Sequence, residues 1–341
     1  EDLDISGVGN FAIKTTDAFD LEFTTLDLIA NGDGAIHIDG GSVTADSLNI
    51  SENVGIGIQI DGAGILNLTN SIVELTQASN PEDISDGYGV LMSESAVLES
   101  QGNIYNLNTL VGVQSISGSI NLIDDEVSNS LLTGIWVEGN SSLSLTNVIA
   151  TDNGIYGVIM MGTGDVDING LAITVDPEIS PSYHVEELAD NGSGSMGLYV
   201  LSANVILQDV SISGYNNCGA NLQVDSTSES NLFIDGLTID NVGRKGLYLV
   251  GYEGSINNLS ITNISDLDDL RFTEPDPETA EVTDNIDFCC LIDQNIGAGI
   301  IFANVDLSNV NIEDVQGYGI TMYQSNSVID TIYTTGATCA G

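Results

Sequence analysis

Two aspartates, Asp39 and Asp61, occupy the same place in two copies of a short strand-and-turn pattern, 22 residues apart. Each is followed by a glycine, and His37 or Gln59 stands two residues before it. If the copies stack, the carboxylates lie about 5 Å apart, which suits a retaining glycosidase and would also let them share a cation. Asp39, Asp61 and His37 are therefore the candidate catalytic residues, and Asp39 and Asp61 are the candidate metal ligands.

A purely structural interpretation of the same carboxylates is also open. Glu138 precedes Gly139 at the same turn position in a later copy. Acidic residues and glycine are common in tight turns because of their conformational preferences alone. The pattern does not establish an enzyme, and a non-enzymatic role is favoured.

The elements that would position these residues recur about every 22–23 residues along the chain, most clearly in 132–169. Each copy has a glycine, an alternating apolar strand, a glycine turn, a second alternating strand and an Asn or Asp corner. Alternation with period 2 predicts strands rather than helices. Aligned on the apolar residue after the slot that glycine fills in most copies, the copies give Phe11, Ile36, Ile58, Val90, Val113, Ile135, Val158, Leu198, Ala220, Leu247, Ile300 and Ile320.

One such copy cannot bury its apolar face alone, so neighbouring copies must stack as the coils of a solenoid. Longer spacings place three insertions near 77–87, 175–195 and 265–296. The polar corners are expected to form a stacked ladder, because Asn and Asp tolerate left-handed backbone. These corners are Asp46, Asn70, Asp124, Asn147, Asn169, Asp209, Asp235, Asn258 and Asn309.

In its glycine-apolar-x-apolar strands and Asn corners, the chain resembles the right-handed parallel β-helix family, the pectin-lyase-like fold, in its generic repeat form. The resemblance covers essentially all of residues 1–341. It implies an all-β, single-stranded right-handed parallel β-helix of about 12 coils, forming a single domain with three loop insertions. It implies little about function, since this architecture carries lyases, hydrolases, epimerases, tailspikes, adhesins and passive surface rods.

The charge of the chain excludes several function classes. There are 50 Asp and Glu residues against 4 Lys and Arg, a formal net charge of −46. Nucleic acids and anionic membrane surfaces both require a basic face, so neither is an expected partner. So acidic a surface repels itself unless cations screen or bind it. We expect a saline exterior or bound calcium, although solubility alone would also account for the charge.

An apolar stripe is predicted on the outward side of the middle coils. In a soluble solenoid, such a stripe indicates either a covered surface or a binding face. The second and third insertions could fold over it, or a protein or glycan at the cell surface could dock on it. Its members are Trp136, Ile159, Met161, Tyr199, Leu201, Tyr248, Val250 and Ile301.

The four cysteines, Cys218, Cys289, Cys290 and Cys339, are disulfide candidates. Their spacing does not match a zinc site, and an even number in an extracellular chain permits disulfides with several connectivities. A bridge from Cys218 to the Cys289–Cys290 loop would pin the longest insertion to the coils. No apolar run reaches about 18 residues, so no membrane insertion is expected.

These observations predict a secreted or cell-surface structural, adhesive or interaction module of the cell envelope, acidic and stabilised by cations. The alternative is a carbohydrate-active enzyme, similar to a glycoside hydrolase, that uses Asp39 and Asp61. Open coil edges would permit end-to-end or lateral self-assembly. Because the sequence begins at Glu1 without a Met, we expect a processed protein or a fragment of a longer one.

Overall fold

The predicted all-β parallel solenoid is confirmed by the computed structural model, which holds about twelve right-handed turns. The structure describes residues 3–16, 20–80, 86–176, 195–224, 229–264, 296–301, 303–323 and 325–337. Within these residues every regular element is a β-strand. Most of the insertions at 175–195 and 265–296, and the centre of that at 77–87, lie outside the described residues. The predicted covering of the apolar stripe by insertions therefore stays a prediction.

The described residues form two compact units, with the boundary in the sequence after Ala172. The strands up to this boundary are β1 (Leu3–Ser6), β2 (Ile13–Thr16), β3 (Asp20–Ile29), β4 (Gly34–Asp39), β5 (Ser42–Ser51), β6 (Ile56–Asp61), β7 (Ile65–Thr69), β8 (Ile72–Glu74), β9 (Tyr88–Met92), β10 (Ala96–Gln101), β11 (Ile104–Asn106), β12 (Val111–Ser115), β13 (Gly118–Ile123), β14 (Glu126–Ser128), β15 (Thr133–Gly139), β16 (Ser142–Thr146), β17 (Ile149–Thr151), β18 (Tyr156–Gly162), β19 (Val166–Asn169) and β20 (Ala172–Thr174).

In the first unit, one parallel sheet is built from the first strand of each coil, in the order β2, β4, β6, β9, β12, β15 and β18. The aligned apolar residues from Ile36 to Val158 pair directly, as Ile36 does with Ile58. Glycine precedes all of them except Ile36, because the backbones of neighbouring coils approach closely there. A Cβ on Gly112 would lie 2.5 Å from Val127 Cγ1 and 2.8 Å from the Gly134 carbonyl oxygen. A side chain at this position would clash with the neighbouring coil.

Two members of the predicted alignment were wrong. Ile36 pairs with Ile13 rather than with Phe11, and Leu247 pairs with Ala298 rather than with Ile300. The second error arose because two glycines, Gly297 and Gly299, both precede an apolar residue. Only Gly297 meets the neighbouring backbone, since its Cβ would lie 2.5 Å from the Gly319 carbonyl oxygen.

The predicted ladder of polar corners is present, and we call it the outer ladder. In the first unit, the Asn70 side-chain amide donates to Asp46 at 2.8 Å, and that of Asn147 donates to Asp124 at 3.0 Å. The bond from Asn70, with others from Thr69 and Ser47, lowers the pKa of Asp46 below its usual value. Of the predicted corners, Asp46, Asn169 and Asp235 come one residue before the left-handed residue, which is Ser47, Gly170 or Gly236.

A second corner in each coil of the first unit was missed by the sequence analysis. A left-handed residue there is followed by a fully buried polar residue, and we call this buried series the inner ladder. Asn53 shows how it works: its side-chain oxygen accepts from the Asn31 backbone N–H at 3.0 Å, and its amide donates to the Leu28 carbonyl at 3.0 Å. The members of the inner ladder are Asn31, Asn53, Thr76, Asn108, Ser130 and Asn153.

A buried polar cluster surrounds Asp125 in the same unit. The Asp125 carboxylate accepts from the Asn103 backbone N–H at 2.6 Å, while Tyr105 and Ser100 share a hydrogen bond of 2.7 Å. Asp125 is only 1% exposed, and its second oxygen has no hydrogen-bond partner among the described residues. Burial raises the pKa of Asp125 to about 6, despite the hydrogen bond from Asn103.

The second unit has longer strands and an apolar interior at both corners. Left-handed residues there are followed by buried aliphatic residues such as Val210, Leu259 and Ile264. The outer ladder continues, with Asn258 donating to Asp235 at 2.6 Å. The strands are β21 (Met196–Leu201), β22 (Asn204–Ser213), β23 (Cys218–Gln223), β24 (Asn231–Val242), β25 (Lys245–Val250), β26 (Glu253–Ile264), β27 (Ile296–Ile301), β28 (Asn304–Val315), β29 (Tyr318–Tyr323) and β30 (Ile329–Thr335).

Candidate functional site

The predicted site residues are brought together on the first sheet of the first unit. Strands β4 and β6 pair in parallel register, which places His37 beside Gln59 and Asp39 beside Asp61. The strands alternate, so the buried Ile36 and Ile38 face the core while the site residues lie on the outward side. The sequence therefore predicted correctly that the two carboxylates lie one coil apart.

Asp61 is the centre of a hydrogen-bond network on this face. One carboxylate oxygen lies 2.8 Å from His37 Nε2 and accepts from the Gln59 amide at 2.6 Å. The other oxygen accepts from the Ser93 hydroxyl at 2.7 Å. Three neighbouring coils thus converge on one carboxylate, which fixes its orientation.

The network also fixes which nitrogen of His37 carries a proton. An ionised carboxylate can only accept, so Nε2 of His37 donates to Asp61. Nδ1 is then the ring nitrogen that is left to contact a bound molecule, as an acceptor in the neutral ring. The His37 side chain is 11% exposed and that of Asp61 is 25% exposed. The pair is half-enclosed but still reachable from solvent.

A shallow depression adjoins this network, lined by Asn10, Phe11, Lys14, Asp33 and His37. The Phe11 ring is tilted by 42° against the His37 ring, with the centroids 5.1 Å apart. Lys14 pairs in register with His37 on the neighbouring strand. An aromatic ring, a cation and an oriented imidazole therefore surround one depression, of which only His37 was predicted from the sequence. Phe11 was missed there because it had been aligned with the core.

Chemically, the arrangement offers two groups to a bound molecule. His37, oriented by Asp61, presents its second ring nitrogen, while the exposed Asp39 adds a second carboxylate one coil away from Asp61. Glycosidases use a pair of carboxyl groups, one as the general acid and the other as the nucleophile or general base. The described residues contain no group of three or more His, Cys, Asp or Glu side chains placed to hold a metal ion. Calcium binding at Asp39 and Asp61 stays a prediction.

The predicted apolar stripe differs in exposure from residue to residue. In the first unit, Trp136 pairs with Ile159 and Glu138 pairs with Met161. Trp136 is half-buried and Met161 is 41% exposed, whereas Ile159 is only 3% exposed. Trp136 and Met161 are therefore accessible to a partner, and Ile159 contributes little surface.

The members of the stripe in the second unit follow the same outward positions. Tyr199, Leu201, Val250 and Ile301 are half-buried. Tyr248 is fully buried, and the Lys245 ammonium lies 5.7 Å from the centre of its ring. Tyr248 is thus not accessible to a partner in this conformation.

The disulfide prediction concerns residues that the structure describes only in part. Cys218 is fully buried in β23, where it pairs in register with Lys245 of β25. Cys289, Cys290 and Cys339 lie outside the described residues. The bridge between Cys218 and the long insertion remains a prediction.

Comparison with known proteins adds no assignment. No protein-family model matches the chain, and searches of curated proteins and of solved structures returned no match. In the part of the chain that the structure describes, no helix is long and apolar enough to cross a membrane.

Proposed function

We propose that this protein is a secreted or cell-surface structural and adhesive module that binds proteins or glycans of the cell envelope. The observation that carries the proposal is the in-register stacking of outward positions within each unit. Parallel pairing repeats the outward positions about every 4.8 Å. Outward side chains such as Trp136 and Met161 are therefore held at fixed distances from one another. A rigid array of this kind can bind an extended partner at several points at once.

The charge supports an extracellular setting for this module. A net charge of −46 keeps such molecules apart at low salt, whereas at 1 M salt the screening length falls to about 3 Å. We propose that calcium or concentrated salt neutralises the surface and thereby permits adhesion or self-assembly, end to end or laterally. Localisation at the exterior of the cell, in the cell envelope, follows from the same reasoning.

The adhesive function can be tested by measuring binding to an immobilised panel of neutral and amino-sugar polysaccharides and cell-surface proteins. We expect Met161→Ser, which changes an exposed side chain, to weaken binding of any ligand of the face by about tenfold. Ile65→Ser is the matched control, because Ile65 of β7 is 38% exposed but belongs to the other sheet. Equal effects of the two substitutions would contradict the proposal.

Cation use is tested separately by thermal melting during a calcium titration. We expect calcium to raise the melting temperature more than sodium chloride at equal ionic strength, because a bound ligand stabilises the folded state by mass action. Identical curves for the two salts would leave screening alone as the role of cations.

The second candidate function is a carbohydrate-active enzyme, similar to a glycoside hydrolase, acting on a neutral or basic glycan. The observation that favours it is the convergence of His37, Gln59 and Ser93 on Asp61, next to Asp39. An enzyme of this kind would lose turnover in Asp61→Asn and Asp39→Asn. Glu138→Gln is the control, since Glu138 precedes a turn glycine in the same way. Turnover that persists in all three variants, or that is absent from the unsubstituted chain, excludes this candidate.

A further inference from the structure

Four aliphatic side chains form an exposed patch on the first unit, on a different set of strands from Trp136 and Met161. Ile72 of β8 pairs in register with Ile104 of β11. Leu75 and Leu107 follow three residues later at the same corner of the same two coils. Their exposures are 37%, 38%, 37% and 45% for Ile72, Ile104, Leu75 and Leu107 respectively. We call these four residues the aliphatic ridge.

Two members of the ridge have an unfavourable backbone conformation. Leu75 has a φ of 55° and Leu107 a φ of 52°, in the left-handed region that L-residues other than Asn and Asp avoid. At the equivalent corner of the next two coils, the chain uses Asn129 and Asp152. Two leucines here strain the backbone and leave apolar surface in water. Residues held in such conformations concentrate at functional sites.

The ridge is bordered by acidic residues. Glu126 of β14 pairs in register with Ile104, and Glu74 lies between Ile72 and Leu75 in the sequence. Glu52 occupies the corner of the coil before Leu75, and its backbone N–H donates to the Glu74 carbonyl at 3.3 Å. An apolar centre with a charged border is the usual anatomy of a protein interface. Because the border is acidic, its complement is basic.

We propose that the aliphatic ridge is the docking site of a partner protein that presents aliphatic side chains framed by Lys and Arg. The inference rests on the proposed function as an interaction module and names a second contact surface with its partner chemistry. A second copy of this chain fits poorly, because a net charge of −46 would oppose −46. An anionic membrane is opposed by the same charge.

The first test is titration of the whole chain with a synthetic amphipathic helix of Leu and Lys. A Ser and Lys peptide of equal length and charge serves as the reference. We expect the Leu and Lys peptide to bind at least about tenfold more tightly. In Leu75→Asn/Leu107→Asn, this advantage should disappear. The fold should persist, because Asn suits a left-handed corner. Ile116→Asn, at an exposed site elsewhere, is the control.

The second variant keeps the aliphatic side chains and reverses the border. Glu52→Lys/Glu126→Lys should also remove the preference for the Leu and Lys peptide, since like charges would then face each other. The proposal is wrong if either double variant binds that peptide as well as the unsubstituted chain does. It is also wrong if both peptides bind the unsubstituted chain equally, because charge alone would then explain the binding.

Two further measurements examine other occupants of the ridge. Sedimentation at increasing concentration would overturn the proposal if a dimer forms and Leu75→Asn/Leu107→Asn abolishes it. Flotation with neutral phosphatidylcholine vesicles would overturn it if the ridge binds lipid. Failure of the ridge does not affect the adhesive function, which is tested by Met161→Ser at a separate face. Conversely, unchanged binding in Met161→Ser would leave the peptide result intact.

Discussion

The first and second units differ in the buried side chains at the corner where the inner ladder lies in the first unit. In the first unit, buried Asn side chains such as Asn53 hydrogen-bond the backbone groups that the turn exposes. In the second unit, the equivalent positions carry aliphatic residues such as Ile264, and strands of 12 residues run through this corner. A parallel coil can therefore turn either by supplying side-chain partners or by keeping the backbone ladder nearly continuous. The outer ladder is common to both units, so the difference is confined to the interior.

The largest effect is expected from exchanging the interior residues. Asn53→Ala would leave the Asn31 N–H and the Leu28 carbonyl without their partner in a dry interior, at a cost of about 3 kcal/mol. Ile264→Asn would bury an amide where the second unit provides no equivalent ladder, at a similar cost of about 3 kcal/mol. Urea titration measures both, with the exposed Thr44→Ala of β5 as control. If Ile264→Asn is tolerated, the corners of the two units are interchangeable.

A smaller, pH-dependent effect is expected at Asp125, the charged member of the polar interior. Its folded pKa, about 6, exceeds the ordinary value of an Asp carboxyl, 3.8, so the folded state binds a proton that the unfolded state has already lost. Stability should fall as the pH rises from about 4 to 6 and stay reduced above that range. Asp125→Asn removes the buried charge and should raise the free energy of unfolding by about 2 kcal/mol at pH 8.

Repeating the measurement at pH 4 separates the effect of the charge from other effects of Asp125→Asn. At pH 4, where Asp125 is protonated, the substitution should change stability little. Equal stabilisation at pH 4 and pH 8 would show that the charge is not responsible.

The smallest effects are expected in the outer ladder, where the units agree. Asn147→Ala and Asn258→Ala each remove an exposed hydrogen bond and place alanine at a φ of 52° or 53°. We expect each to lower the free energy of unfolding by about 1 kcal/mol. Denaturant titration of the two variants should give matching values. A loss confined to one unit would mean that the outer ladder is not equivalent in both.

The alternating pattern predicted most of the fold because glycine and apolar residues have strict steric and hydrophobic roles in each coil. It failed at Phe11, where no glycine directly precedes either Phe11 or Ile13, and at Ile300, where two glycines each precede an apolar residue. The inner ladder was missed because polar residues are expected at the surface, although Asn31 and Asn53 recur at the coil spacing. That recurrence was the signal that could have revealed it.

For the candidate site around Asp61, the strand register could be predicted from the sequence, but the side-chain hydrogen bonds could not. Equal spacing was enough to place Asp39 beside Asp61. The bond from His37 to Asp61 runs diagonally between coils and depends on side-chain rotamers. Ser93 joined the network across an insertion that lengthens the spacing to 32 residues. The strain at Leu75 and Leu107 was not predictable either, because leucine gives no signal for a left-handed backbone.

Because neighbouring coils pair in register, the solenoid can also be lengthened or shortened by whole coils. Thr133 pairs with Tyr156 and Ile135 with Val158, so the interval between these positions is one complete structural period. Duplicating residues 134–156 would reproduce every pairing rule of the first unit and would extend it by about 4.8 Å. Recombination between such periods would lengthen or shorten the molecule in whole steps, with no need to redesign a core.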